Sequence, residues 1–252
     1  MARIAVITHE LDHFFNPWYR RLWSGPSEYL LHDLLEVMRR RGHEVEVIRG
    51  VGRPSEADLA IAHVDCSRPP RRYLDYARSF PRTVNAGVGD VTKRRVSGAL
   101  VERDTGWTGP VIVKSDLNYR GLPEIKHNVL ALLRGRRPPH PGRWMPPRYR
   151  TFASAAAVPE RFWREDRWVV ERFVPEASDE GYAMRTWVFA GGADRCRRHL
   201  GRDPMLKVGD IVRSEPVPVP DALRAARRRL GFDFGKFDFV VHDGEPVLLD
   251  AN

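Results

Sequence analysis

The segment from Gly235 to Asn252 constrains the chain most. Two apolar runs, Phe237 to Val241 and Val247 to Asp250, flank the pair Asp243-Gly244, which is the signature of a β-hairpin. One carboxylate interrupts each run, Asp238 in the first and Asp250 in the second. Side chains alternate faces along a strand, so Asp250 and Asn252 point the same way. Whether Asp238 joins them depends on the turn. A two-residue loop would pair Asp238 with Leu249 and split the carboxylates between faces. A three-residue loop, His242 to Gly244 with Gly244 left-handed, would restore a common face, with the carboxylates placed diagonally. Two Asp and an Asn carbonyl on one face suit magnesium, a hard cation that takes a few carboxylates together with phosphate oxygens. A metal site here therefore predicts the three-residue loop or a bulge. Without a metal, the two Asp residues read as polar interruptions that discourage edge aggregation.

Upstream, strand and helix patterns alternate. Arg3 to Thr8 is an expected strand and Ser27 to Arg41 a helix, with apolar residues at Leu30, Leu31, Leu34, Leu35 and Met38. Strands follow at Glu44 to Arg49, Asp58 to Val64 and Thr83 to Asn85, with a short helix at Arg71 to Arg78. This alternation implies an open parallel α/β lobe over residues 1–88. The next unit, 89–170, is expected to hold a helix from Asp90 to Glu102, a strand Val111 to Lys114 and a helix from Leu122 to Leu133. Its stretch 135–150, rich in Pro and Arg, cannot be a regular element and reads as a lid or insertion loop. Residues 171–252 read mainly as strands, among them Ala183 to Ala190, with a helix at Ala222 to Leu230. No repeat is visible.

The formal charge is +9, so the surface should attract anions. Its clusters, Arg39-Arg40-Arg41 and Arg227-Arg228-Arg229, fall on amphipathic helices and suit solvated faces better than nucleic-acid contact. Cys66 and Cys196 lie far apart with no partner motif, which points to neither a disulfide framework nor a cysteine zinc site and fits a reducing compartment. The N-terminal run Ile4 to Ile7 is too short for a signal peptide, and no stretch approaches the roughly 20 apolar residues of a membrane span. A cytoplasmic location and no membrane partner are expected.

At the C-terminal hairpin the sequence resembles the ATP-grasp superfamily, whose members end their nucleotide domain with a strand Asp followed by an acidic-x-Asn, as Asp238, Asp250 and Asn252 do here. The resemblance continues at Lys93 in Asp90-Val91-Thr92-Lys93 and at Lys114 in Val111-Ile112-Val113-Lys114, which are similar to the family's two phosphate lysines. Trp168-Val169-Val170-Glu171-Arg172-Phe173-Val174 looks like the hinge that grips adenine. The likeness implies that Glu171 meets the adenine amino group, the Val174 N–H a ring nitrogen, and Glu176 or Asp179 the ribose. It assigns Arg185 to the reacting phosphate, and adds Arg198 and Lys207 more weakly.

The implied fold class is α/β, α+β in the C-terminal half: an ATP-grasp fold with an N-terminal Rossmann-like open-sheet lobe. The implied domains are a substrate lobe at 1–88, a central subdomain at 89–170 and a C-terminal subdomain at 171–252. Relatives usually continue past the acidic-x-Asn into a glycine-containing substrate loop, so the chain is expected to stop short of it.

The resemblance implies ATP and Mg2+, or Mn2+ in its place, as cofactors. The expected activity is a ligase that joins a carboxylate to an amine through an acyl phosphate, releasing ADP and phosphate. Its expected partners are small-molecule or peptide carboxylates and amines, with a homodimer left open. The rival enzymatic reading is an ATP-grasp small-molecule kinase, and the non-enzymatic one a nucleotide- or RNA-binding module.

His9-Glu10-Leu11-Asp12-His13 also spells H-E-x-x-H, the zinc metalloprotease signature, which works only on a helix. Here it follows directly on a strand, and Pro17 would end a helix within a turn.

Overall fold

The computed structural model describes residues 1–12, 30–103, 106–143 and 148–252. They divide into two compact units, Met1–Gly89 with Pro123–Gly142, and Asp90–Leu122 with Arg143–Asn252.

The first unit is built on a parallel sheet. Strands β1 (Arg3–Thr8), β2 (Glu44–Arg49), β3 (Leu59–Ala62) and β4 (Thr83–Val84) lie in the order β2-β1-β3-β4. β1 is central and buried almost throughout, which explains its unbroken apolar run. Helix α1 (Leu30–Arg40) buries Leu31 and Leu35. The helix start expected at Ser27 falls outside the described residues. Helix α2 (Arg71–Arg78) buries Tyr73, Leu74 and Ala77, the side that joins Ile7, Ile48 and Ala60 in one core.

The residues after β1 form a turn, not a helix: the Asp12 N–H bonds to the His9 carbonyl at 2.8 Å. His9 stacks on Tyr73 at 5.4 Å and on His127 at 3.9 Å, so it serves the packing of this unit. His13, the other histidine of the zinc signature, lies outside the described residues.

In the second unit a small antiparallel sheet has the order β6-β5-β7, from β5 (Val111–Ser115), β6 (Arg150–Phe152) and β7 (Trp168–Arg172). The larger sheet has the order β11-β10-β9-β12-β13. Its strands are β9 (Gly181–Ala190), β10 (Ala193–Gly201), β11 (Ile211–Pro216), β12 (Phe234–His242) and β13 (Glu245–Ala251), and β8 (Glu176–Ser178) pairs with β9.

Helix α3 is one turn, Lys93–Val96, which corrects the expected helix from Asp90 to Glu102. From Ser97 the backbone is extended, Leu100 bridges to Glu171, and the Val101 N–H bonds to the Val170 carbonyl at 2.9 Å. A sheet edge thus takes the hydrogen bonds that a longer helix would have kept. Helix α4 (Leu122–Leu133) keeps its predicted bounds. The chain from Arg136 to Gly142 holds no helix or strand, as its prolines require.

Short helix α5 (Glu160–Arg164) buries Phe162 against Val111, Val113 and Val170. Helix α6 (Asp221–Leu230) ends at Gly231 in the left-handed conformation, the usual helix stop. Beside it Trp187, Phe189, Phe232 and Phe237 pack edge-on or tilted, with centroids 4.5–6.3 Å apart. Aromatic edges meeting faces add to the gain from burial alone.

Two predictions follow from the cores. Phe237→Ala should destabilise the protein by about 3–5 kcal/mol, read as a lower urea midpoint with an unchanged slope. In the first unit, burial holds the His9 and His63 imidazoles down to about 4. A depressed imidazole contributes stability that is complete above the unfolded value of 6.5 and is lost as pH falls toward 4. Urea unfolding should therefore show stability declining across that window, and His63→Leu should flatten the decline.

Candidate functional site

The hairpin of β12 and β13 turns through two residues, Asp243 and Gly244, with φ of 51° and 82°, and pairs His242 with Glu245. That loop alone would separate the carboxylates. A bulge between Asp238 and Phe239 shifts the register, leaves Leu249 unpaired, and sets Asp238 directly opposite Asp250. The bulge is thus the device that restores a common face, and the carboxylates are opposed rather than diagonal.

Like charges in directly opposed positions repel, so this arrangement needs cations. Lys93 Nζ lies 3.3 Å from Asp250 Oδ1 and Lys236 Nζ 2.8 Å from Asp238 Oδ2, while the Thr186 hydroxyl donates to Asp238 Oδ1 at 3.1 Å. Lys93 is almost wholly buried. Its turn is fixed from β5: the Asp116 carbonyl accepts from the Lys93 N–H and the Asp116 carboxylate from the Arg94 N–H, each at 2.8 Å.

A cleft of about 590 Å³ opens between the two sheets of this unit. Lys93, Lys114, Val174, Lys207, Asp238 and Asp250 all line it, so residues scattered over 158 positions of sequence meet in one place. Apolar walls come from Ile112, Phe173, Met184, Met205 and Leu249. Lys114, near the end of β5, reaches Glu171 on β7, with Nζ 2.7 Å from Oε2. Glu171 is fully buried, and neither of its oxygens receives a well-directed hydrogen bond from the described residues. The Lys114 contact is therefore one of charge, and Glu171 itself lies behind Lys114 rather than in the cleft lining.

Neither a family model nor a curated protein sequence matches the chain. Its structure is similar to that of the ATP-grasp ligase PsnB complexed with a minimal precursor, at a TM-score of 0.54 and 12% identity over 100% of this chain and 90% of PsnB. The chain has the ATP-grasp fold. Further solved structures include a RimK domain protein from Sphaerobacter thermophilus, with TM-score 0.48, 15% identity, and coverage of 99% of this chain and 90% of that one. D-alanine–D-alanine ligase from Bacillus anthracis gives TM-score 0.47 and 12% identity over 100% and 86%.

Within this ATP-grasp fold several sequence-predicted residues stand apart from the cleft. Arg185 is adjacent in β9 to Thr186, which pairs with Asp238, so Arg185 points to the opposite face. There it grips Glu176 through Nε and Nη2 at 2.8–3.2 Å, and Arg198 Nε joins the same carboxylate at 3.1 Å. The Val241 N–H donates to Glu176 as well, at 2.9 Å. Strand parity and this network therefore place Arg185, Arg198 and Glu176 away from the cleft lining. Burial alone would raise the Glu176 carboxyl, but the hydrogen bonds from Arg185 and Val241 and the nearby guanidinium charge hold it below its ordinary value.

Asp179 is exposed in the turn between β8 and β9. Asn252 is exposed too. It pairs through its backbone with Lys236, and its side-chain oxygen accepts from Asn118 Nδ2. Among the described residues no three His, Cys, Asp or Glu side chains converge as a metal cluster, so a cation here would rest on the Asp pair and oxygens from elsewhere.

Sequence reasoning missed Tyr149, Arg120 and Arg148, which also line the cleft. The Tyr149 ring lies 5.9 Å from Lys114 Nζ and 6.0 Å from the Arg120 guanidinium, and burial pushes its hydroxyl up to about 12. Arg120 follows Tyr119 in the left-handed region, with φ of 59° and 44°, and Gly121 completes three such residues in a row. This costly backbone is visible only in three dimensions.

Glu176→Gln should cost about 3 kcal/mol by leaving Arg185 and Arg198 without their charge partner. A depressed carboxyl adds stability that is present above its unfolded value of 4.5 and lost as pH falls through its lower folded value. Urea unfolding of the variant should therefore show a smaller acid loss below pH 4.5 than the parent.

Proposed function

We propose that the cleft binds ATP with magnesium and that the chain is a ligase joining a carboxylate to an amine. The observation that carries this reading is the bulge that opposes Asp238 and Asp250 on the wall that also bears Lys93. The pair of carboxylates fits a hard divalent cation that completes its shell with phosphate and water oxygens. Such a cation, when bound, neutralises charge on the phosphates.

The chain's own residues supply the rest. Lys93 and Lys114 hold the phosphates as point charges, and Lys207 adds a third cation at the rim. The family likeness gives Glu171 the adenine amino group, a role that needs Glu171 to reach past Lys114 from its buried position, and the Val174 N–H a ring nitrogen. Phe173, Met184, Met205 and Leu249 exclude water from the base. Arg120 and Arg148, with Tyr149, take the place at the reacting end that the family likeness gives to Arg185.

The reaction proposed transfers the γ-phosphoryl group to an oxygen of the acid, with ADP as leaving group. The amine then attacks the acyl carbon, and phosphate departs. Cationic side chains fixed in advance stabilise the charge developing on the transferred oxygens. PsnB, whose fold is similar, has been seen with a minimal precursor, Mg and ADP. That supports a small-molecule or peptide acid as substrate. The first unit is assigned to substrate and the second to the nucleotide.

Isothermal calorimetry tests the reading. ATP should bind the wild-type chain in a magnesium-dependent way, and Lys114→Ala and Asp250→Ala should each weaken binding by about tenfold or more, the loss expected for one charge-assisted contact. Circular dichroism would confirm that the variants stay folded. A wild-type chain that binds no ATP would overturn the proposal.

A further inference from the structure

A second cavity, of about 390 Å³, lies on the other face of β9, away from the Asp238 wall. Trp187 forms part of its lining, and α6 contributes Arg224, Arg227 and Arg228. Trp187 is fully buried, yet its indole Nε1 has no acceptor among the described residues. An indole nitrogen can only donate, so nothing but an incoming acceptor satisfies it.

The side chains around it select the kind of acceptor. The Arg224 and Arg227 guanidiniums lie 5.6 and 5.8 Å from the Trp187 ring. Arg224 is paired with Asp194 at 2.7 Å, whereas Arg227 spends its donors on the carbonyls of Phe232, Gly191 and Asp233, which carry no formal charge. Arg228 is exposed at the mouth. With Asp194 and Asp233 as the nearby acids, three guanidiniums face two carboxylates, and the balance is positive. A buried unmet donor beneath excess guanidinium charge favours an anionic oxygen over a neutral one.

We infer that this cavity is a binding site for a small oxyanion, a carboxylate or a phosphate, held by the Trp187 indole N–H and the arginines of α6. It is separate from the nucleotide cleft, and it shares strand β9 with it: Trp187 follows Thr186, the residue that donates to Asp238. The inference does not depend on ATP binding.

The test is NMR of the 15N-labelled full chain, with the Trp187 indole Nε1–H resonance assigned through bonds so that no Trp187 variant is needed. Inorganic phosphate and acetate are titrated separately against chloride at constant ionic strength. The Trp187 signal should move saturably with at least one of the two, and the one that moves it identifies the source. Arg228→Gln, at an exposed position, should weaken that binding about tenfold, as losing a charged hydrogen-bond partner does. Lys114→Ala should leave it unchanged, which separates this site from the cleft. A signal that neither anion moves, or that chloride moves equally, would overturn the inference, as would an affinity unaffected by Arg228→Gln or abolished by Lys114→Ala.

Discussion

Two carboxylates forced face to face organise the second unit. Asp238 and Asp250 sit in adjacent strands at directly opposed positions, where their repulsion opposes folding unless positive charge is brought to them. The nearby architecture meets that demand. The single turn of α3 carries Lys93 into the interior, Asp116 at the end of β5 fixes that turn, and β12 brings Lys236 from the same strand as Asp238. The site's charge balance is thus a condition of the fold as well as of any ligand.

A second arrangement of charge lies behind the first. On the opposite face of β9, Glu176 receives two guanidiniums and a backbone N–H. This cluster ties β8, β9, β10 and β12 together at the point where β8 replaces β12 as the neighbour of β9. Sheets usually gain cohesion from apolar cross-strand pairs. Here the aromatic residues take one end of the strands and the ionic network the other, so the two ends of β9 are held by different physics.

What could be read from the sequence follows from where each signal is local. β1 and β2 were legible residue for residue: β1 is an apolar run buried in a parallel sheet, and β2, at the sheet edge, alternates charged and apolar side chains. The hairpin was legible through Asp243-Gly244, and so was the need for either a three-residue loop or a bulge; the structure uses the bulge. β10 and β11 were not foreseen: arginines crowd 195–198, and β11 offers Val212 to solvent, so neither shows the alternation of a half-buried strand. For the cleft, Lys93, Lys114, Val174, Asp238 and Asp250 were found from motif order. The family likeness gave Arg185 to the reacting phosphate, whereas strand parity puts it on the face of β9 opposite Thr186 and Asp238. Tyr149 and Arg120 had no local signal, being delivered by a proline-rich stretch and a left-handed backbone.

The first unit takes α4 from the middle of the second unit's sequence. Glu124 of that helix accepts from the Ser67 N–H at 2.7 Å, and His127 stacks on His9. The polypeptide therefore passes from one unit to the other, returns, and passes back, so no single cut yields two intact pieces. A fragment beginning at Asp90 would carry α4 with its buried face stripped of partners, and one ending at Gly89 would expose the His9 ring on which His127 of α4 stacks. During synthesis the first unit must likewise wait until Leu133 has been made before α4 is in hand.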